Sequence, residues 1–324
     1  MKIVRTGLVG RLYATTILFI LVCATTALAQ TSHSAEQYFK QGLSHYKNGD
    51  LDGAIRDFTR AIEMNSRRMK TPHPNVGRRS LVADGGESSA DESVEVVDLF
   101  NAQAYYNRGV AWSDKGEIDR AIADFNRAIR IDPLCTKAYL RRGRCRHSKD
   151  DLDGALADFN KAITLDSTSA FAYNNRGIVR QAKEDLAGAM SDFEVAISLD
   201  PQLAEAHLNR GTARSMIGDL TGAIADLDLA IALSPHSAIA YNNRGRAKQQ
   251  QGELAAAIAD YSEAISIDPD QAFAYANRGL ARLLEGKLSQ AESDFERCLE
   301  LKPELKPNLE RQINEIKAVK GSKL

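Results

Sequence analysis

Six arginines, Arg108, Arg142, Arg176, Arg210, Arg244 and Arg278, stand at one constant interval, and sixteen residues after each comes an aspartate: Asp124, Asp158, Asp192, Asp226, Asp260 and Asp294. A seventh aspartate, Asp57, keeps the register but has Gln41 in place of the arginine. Two chemistries are open to such residues. A carboxylate can act as a general acid or base, or it can accept a bidentate, charge-assisted pair of hydrogen bonds from a guanidinium. A catalytic carboxylate is singular, whereas these are copied in every block, so the pairing is expected to be structural. Four residues beyond the arginines runs a second basic column, Arg146, Arg180, Arg214, Lys248 and Arg282, on the same helix face. The histidines His33, His45, His73, His147, His207 and His236 share no metal-ligand spacing. No Gly-x-Ser-x-Gly, P-loop or dinucleotide fingerprint occurs. These observations argue against an enzyme and give no cofactor, metal or small-molecule substrate. With 42 basic and 43 acidic residues the charges nearly cancel, which also argues against nucleic acid as a partner.

The elements that must position these charges repeat with the same period. Seven blocks of equal length cover 35–68 and 102–305. Within a block the eighth position is glycine (Gly42, Gly109, Gly143, Gly177, Gly211, Gly245, Gly279). The twentieth is alanine, the twenty-seventh alanine or Cys298, and the twenty-fourth large and apolar (Phe58, Phe125, Phe159, Phe193, Leu227, Tyr261, Phe295). Apolar spacings of three and four predict two amphipathic helices per block. The small residues let the two approach, and the ring fills what space remains. Gly49-Asp50, Gly116-Glu117, Gly218-Asp219 and Gly252-Glu253 mark the turn between them, with glycine left-handed and the acid capping or favourably charging the next helix. Asp132-Pro133, Asp200-Pro201, Ser234-Pro235 and Asp268-Pro269 stop the second helix.

This pattern resembles the tetratricopeptide repeat family, whose signature is W-x-x-L-G-x-x-Y, then A-x-x-x-F, then P. Here the opening reads Tyr105-Tyr106-Asn107-Arg108-Gly109, the middle Ala121 to Phe125 and the end Pro133, with Arg replacing the family's Leu in an "NRG" variant. The resemblance implies an all-α fold: a right-handed superhelical solenoid of helix-turn-helix repeats, whose first helices line a concave groove through positions two, five, six, nine, twelve and thirteen. It also implies binding of other proteins or peptides rather than catalysis.

Position six holds Asn107, Asn175, Asn209, Asn243 and Asn277, with Arg141 in the third block. An amide offers donors and an acceptor together, and an Asn ladder lines the peptide groove in a member of this family. The asparagines are therefore candidate peptide-binding residues; local bonding to a neighbouring helix is the competing reading. Asn107, Lys137 and Arg141 resemble part of a clamp for a C-terminal carboxylate, but Phe39 and Leu43 stand where the preceding block should supply Lys and Asn. What remains is a cationic patch of Lys137, Arg141, Arg144 and His147 for an acidic C-terminal segment. A stripe of Phe273, Leu280, Leu283 and Leu284 is expected to pack beneath the terminal helix, a partner pocket being the alternative.

The N-terminus reads as a signal peptide over 1–29. Lys2, Arg5 and Arg11 precede an apolar run to Cys23, and "ALAQ" offers cleavage after Ala29. Export to a periplasm follows, or anchoring in the inner membrane if the segment stays uncleaved. The remaining cysteines, Cys135, Cys145 and Cys298, are odd in number, with Cys298 expected as a small buried thiol. Residues 69–101 form an insert, basic at its start and acidic at its end, expected to be disordered through about Ser93, with "VEVVDLF" opening the next helix. Residues 306–324 carry Leu309, Ile313 and Ile316 at helical spacing and are expected to cap the array. The reading is a non-enzymatic scaffold that binds an extended peptide or partner protein in its groove, the alternative being a self-associating array in the cell envelope.

Overall fold

The computed structural model describes residues 34–70 and 98–321. Among them the chain is an all-α array of stacked helix pairs, divided into two compact units, residues 1–141 and 142–324. The first unit holds α1 (Ala35–Lys47), α2 (Leu51–Lys70), α3 (Leu99–Asp114) and α4 (Ile118–Ile131). The division falls within α5 (Thr136–Ser148). The second unit continues with α6 (Leu152–Leu165), the pair α7 (Ala170–Ala182) and α8 (Leu186–Leu199), the pair α9 (Ala204–Met216) and α10 (Leu220–Leu233), and α11 (Ala238–Gln250), which pairs with the helix that follows it. It closes with α12 (Leu254–Ile267), α13 (Ala272–Glu285), α14 (Leu288–Leu301) and, after a 3-10 turn at Pro303–Leu305, α15 (Lys306–Gly321). The signal segment lies outside the described residues, and among those described no helix is long and apolar enough to cross a membrane.

Each repeat closes its helix pair in the same way. A Cβ on Gly177 would lie 2.6 Å from Phe193 Cε1, so only glycine lets the first helix rest on the ring of the second. Phe193, Ala189 and Ala196 are fully buried, and the equivalent residues of the other repeats are 0–2% exposed, apart from Phe295, which is partly buried. The linking turn takes φ between +78° and +87° at Gly49, Gly116, Gly218, Gly252 and Gly286. Asp150 and Glu184 adopt the same left-handed conformation, at φ 62° and 65°, in the two repeats without glycine there. The acid after the turn caps the next helix only when it is aspartate. Asp151, Asp185 and Asp219 accept from the backbone N–H of Gly154, Gly188 and Gly222 at 2.9–3.0 Å, whereas Glu117 and Glu253 make no side-chain cap bond.

Two boundaries differ from the sequence expectation. Helix α2 runs on to Lys70, and α3 starts at Leu99 rather than at Val94, because Asp98 is its cap and accepts from the Asn101 backbone N–H at 3.1 Å. Asn65 Nδ2 also donates to Asp98 at 2.9 Å, which ties the end of one helix to the start of the next across the insert. The disorder expected through Ser93 falls outside the described residues. At the far end, Leu309, Ile313 and Ile316 of α15 join Leu280, Phe295 and Cys298 in one apolar cluster. Leu280 and Leu283 are buried, while Phe273 from the same stripe stays half exposed against Lys302 Nζ.

Candidate functional site

The recurrent Arg–Asp pairs occupy the inside of each repeat. Arg176 donates through Nε and Nη2 to both oxygens of Asp192, at 2.9 and 2.6 Å, and Arg180 adds a third bond at 2.9 Å. The same arrangement recurs as Arg210 and Arg214 on Asp226, Arg244 and Lys248 on Asp260, and Arg278 and Arg282 on Asp294. The aspartates are 2–5% exposed in these repeats, so they face no substrate. In the first unit Arg108 grips Asp124 at 2.7 and 2.8 Å, and Arg127 assists at 3.2 Å because Trp112 stands where the second cation would be. Hydrogen bonding to Asp226 and to Asp260 pushes the Arg210 and Arg244 guanidinia above their ordinary range. The chemistry of this column is therefore charge neutralisation inside the fold.

The arginines do two further things that the sequence did not announce. Each of Arg108, Arg176, Arg244 and Arg278 lies over the tyrosine three residues before it, 5.3–5.6 Å from the ring centroid. Their free Nη1 reaches back one repeat, to Thr59, Asn160, Asp228 and Ser262 respectively, at 2.6–3.1 Å. Thus the residue that replaces the family's Leu joins helix to helix and repeat to repeat. Repeat 5 departs from this scheme, with His207 in the tyrosine slot. His207 Nε2 bonds the Pro201 carbonyl at 3.1 Å, and the ring is 5% exposed.

The asparagine column divides. Asn107 and Asn175 donate to the carbonyls of Gln103 and Phe171 on their own helices, at 2.8 and 2.7 Å. Asn209 and Asn277 donate at 2.9 Å to Asn174 and Asn242, buried residues of the preceding repeat at position five. Asn243 donates to Thr212 Oγ1 at 3.0 Å. The three that bond the preceding repeat help fix its register; all five remain partly exposed. Lys137 is exposed and Arg141 half-buried on α5; in the first unit Arg141 acts electrostatically on Tyr46, whose hydroxyl donates to Asp114 at 2.5 Å. That bond to Asp114 is the main cause of a raised Tyr46 pKa.

Of the candidate residues, Asn243 alone lines the cavity that opens on the first-helix face of the second unit. Its volume is about 460 Å³, and its walls are Gln181 of α7, Thr212, Ser215 and Met216 of α9, and Asn243, Arg246 and Gln250 of α11, with Leu227 of α10 behind them. Apart from Leu227, these residues occupy positions six, nine, twelve and thirteen of their repeats. Among the described residues no group of histidine, cysteine and acidic side chains could hold a metal ion. The thiols of Cys135 and Cys298 have pKa values raised by burial, which disfavours the nucleophilic thiolate.

Family profiles for the tetratricopeptide repeat match residues 35–68, 102–134, 136–169, 174–238 and 274–305, and a further TPR repeat profile matches 245–286. The chain belongs to the tetratricopeptide repeat family. A tetratricopeptide repeat protein from Parabacteroides merdae shares the fold, with 18% identity, coverage of 87% of this chain and 99% of that one, and a TM-score of 0.63. The pilF protein of Pseudomonas aeruginosa is 17% identical over 67% of this chain and 97% of its own, with a TM-score of 0.58. MamA is 30% identical over 50% of this chain and 95% of its own, with a TM-score of 0.45. Tetratricopeptide arrays are in general scaffolds for protein–protein interaction and are typically not enzymes.

Proposed function

We propose that this tetratricopeptide protein holds an extended segment of a partner protein on the first-helix face of its second unit. The observation that carries the reading is the cavity shared by α7, α9 and α11, walled by amides, hydroxyls and one guanidinium. An extended backbone presents unpaired N–H and C=O groups, and Gln, Asn, Ser and Thr side chains can meet both. Exposed apolar residues on the first helices support the same use. Ile239 is 56% exposed, four residues before Asn243 on the same face; Phe171 and Phe273 stand likewise before Asn175 and Asn277. Such residues offer apolar anchors beside a polar track.

We further propose that the segment 1–29 directs export and is removed, so that the array works in a periplasm. Sequencing of the purified protein from that compartment should begin at Gln30. The binding reading is tested by affinity capture from a periplasmic extract with the wild type and with Gln181→Ala/Asn243→Ala/Gln250→Ala. These three side chains lie outside the Arg–Asp pairs, so the fold should persist with a melting temperature lowered only by the lost Asn243–Thr212 and Ser215–Gln250 bonds, while captured proteins are lost. Capture of the same proteins in the same yield by the triple variant would refute the site.

A further inference from the structure

We infer that the cavity at repeats 4–6 is a specificity pocket that takes an acidic side chain, aspartate or glutamate, from the bound segment; this rests on the groove reading above. Three features of the cavity lead there. The first is its depth. Position twenty-four is aromatic in six repeats and Leu227 in repeat 5, and Leu227 lies directly behind the cavity. Position nine is Ile178 and Leu280 in repeats 4 and 7 but Thr212 in repeat 5, and position twelve there is Ser215. Repeat 5 alone combines a non-aromatic residue at position twenty-four with small polar side chains at positions nine and twelve, and the cavity lies there.

The second feature is charge. Arg246 is exposed and makes no ion pair among the described residues, whereas Arg244 and Lys248 beside it both hold Asp260 at 2.6 and 2.8 Å. No carboxylate lines the cavity. A lone guanidinium at the edge of a pocket matches a carboxylate in both charge and planar fork geometry.

The third feature is the balance of donors and acceptors. Thr212 Oγ1 donates to the Leu208 carbonyl at 2.8 Å and accepts from Asn243 at 3.0 Å, so it is occupied. Ser215 donates to Gln250 Oε1 at 3.3 Å, which consumes the Gln250 acceptor and turns its Nε2 hydrogens elsewhere. What remains for a ligand is donor-rich: the Arg246 fork, the Gln250 amide hydrogens and the second N–H of Asn243. Met216, 57% exposed, offers a flexible thioether wall for the methylene groups of an aspartate or glutamate.

The test uses the purified full chain, immobilised, and pools of acetylated, C-terminally amidated nonapeptides in which one central residue is fixed and the others are random. Amidation removes the terminal carboxylate, so any acid preference comes from the side chain. The Asp and Glu pools should be retained at least about tenfold more strongly than the Asn and Gln pools, the ratio expected of a hydrogen bond to a charged group. Arg246→Gln should bring that ratio to near one without moving the melting temperature, and Arg246→Lys should keep most of it. A ratio near one in the wild type, or one that survives Arg246→Gln, overturns the pocket while retention itself keeps the groove reading. Retention of no pool overturns both. Release of the acidic pools by inorganic phosphate, at concentrations where acetate has no effect, would make this a phosphate site and overturn the inference.

Discussion

Repeat 1 and repeat 4 bury the same aspartate but surround it differently. Asp192 is 2% exposed and receives three hydrogen bonds from Arg176 and Arg180, while Arg176 also reaches back to Asn160 of the preceding repeat. Asp57 is 5% exposed and lies 3.0 Å from His45 Nδ1 and 3.5 Å from Arg60, with Gln41 where the bidentate arginine would stand. The His45 contact is close, but it is not aligned as a hydrogen bond. Repeat 1 leans instead on tilted aromatic contacts, Phe39 against Phe58 and Phe100 at 5.6 and 5.5 Å between centroids. The contrast shows what the arginine column is for. A buried carboxylate is costly unless its charge and lone pairs are met, and an array can meet them repeat by repeat or substitute apolar contact where it cannot.

The largest effect that would sharpen this contrast is the removal of the acid. Asp192→Leu takes from two partly buried guanidinia their shared carboxylate and should cost about 3–5 kcal/mol in urea unfolding. Asp57→Leu frees only the more exposed His45 and Arg60 and should cost clearly less; equal losses would break the comparison. Arg176→Leu combined with Asp192→Leu should be milder than the sum of the single changes by about 0.5–3 kcal/mol, and strict additivity would show that the two do not act as a pair. A smaller effect separates the asparagines. Asn209→Ala strips the buried Asn174 of its partner and should cost about 1–3 kcal/mol, whereas Asn175→Ala, bonded only to its own helix, should stay within about 0.5 kcal/mol. Smallest is Gln41→Arg, which supplies the guanidinium repeat 1 lacks and should stabilise it by about 0.5–1.5 kcal/mol, read as slower hydrogen exchange in α1 and α2.

Much of the fold was legible because its causes are local and periodic. Gly177, Ala189 and Phe193 must be small, small and large wherever two helices meet in this way, and the fixed period repeats that signal in all seven blocks. The Arg–Asp pairs were legible for the same reason, since a constant interval of sixteen residues spans the turn between two helices. The arginine's reach into the preceding repeat was harder to see. Its acceptors are chemically mixed, Thr59, Asn160, Asp228 and Ser262, and the only signal is that every residue in that column can accept a hydrogen bond. Asn174 and Asn242 were missed because the adjacent Asn175 and Asn243 drew the functional reading. The recurrence of "AYNNRG" in repeats 4 and 6, at Ala172–Gly177 and Ala240–Gly245, belongs to this hidden pairing, in which position five of one repeat accepts from position six of the next. The cavity escaped sequence reading because it arises where repeat 5 is unlike its neighbours. A search for what recurs passes over Leu227, Thr212 and Ser215.

The structural column of Arg–Asp pairs is thus separate from the binding face proposed for the first helices of the second unit. The most direct test is retention of the random nonapeptide pools by the wild type and by Ser215→Trp, which fills the cavity without touching any Arg–Asp pair. Both chains should unfold at the same temperature, and Ser215→Trp should lose peptide retention by about tenfold or more. Equal retention by the two chains would contradict the assignment of the binding face.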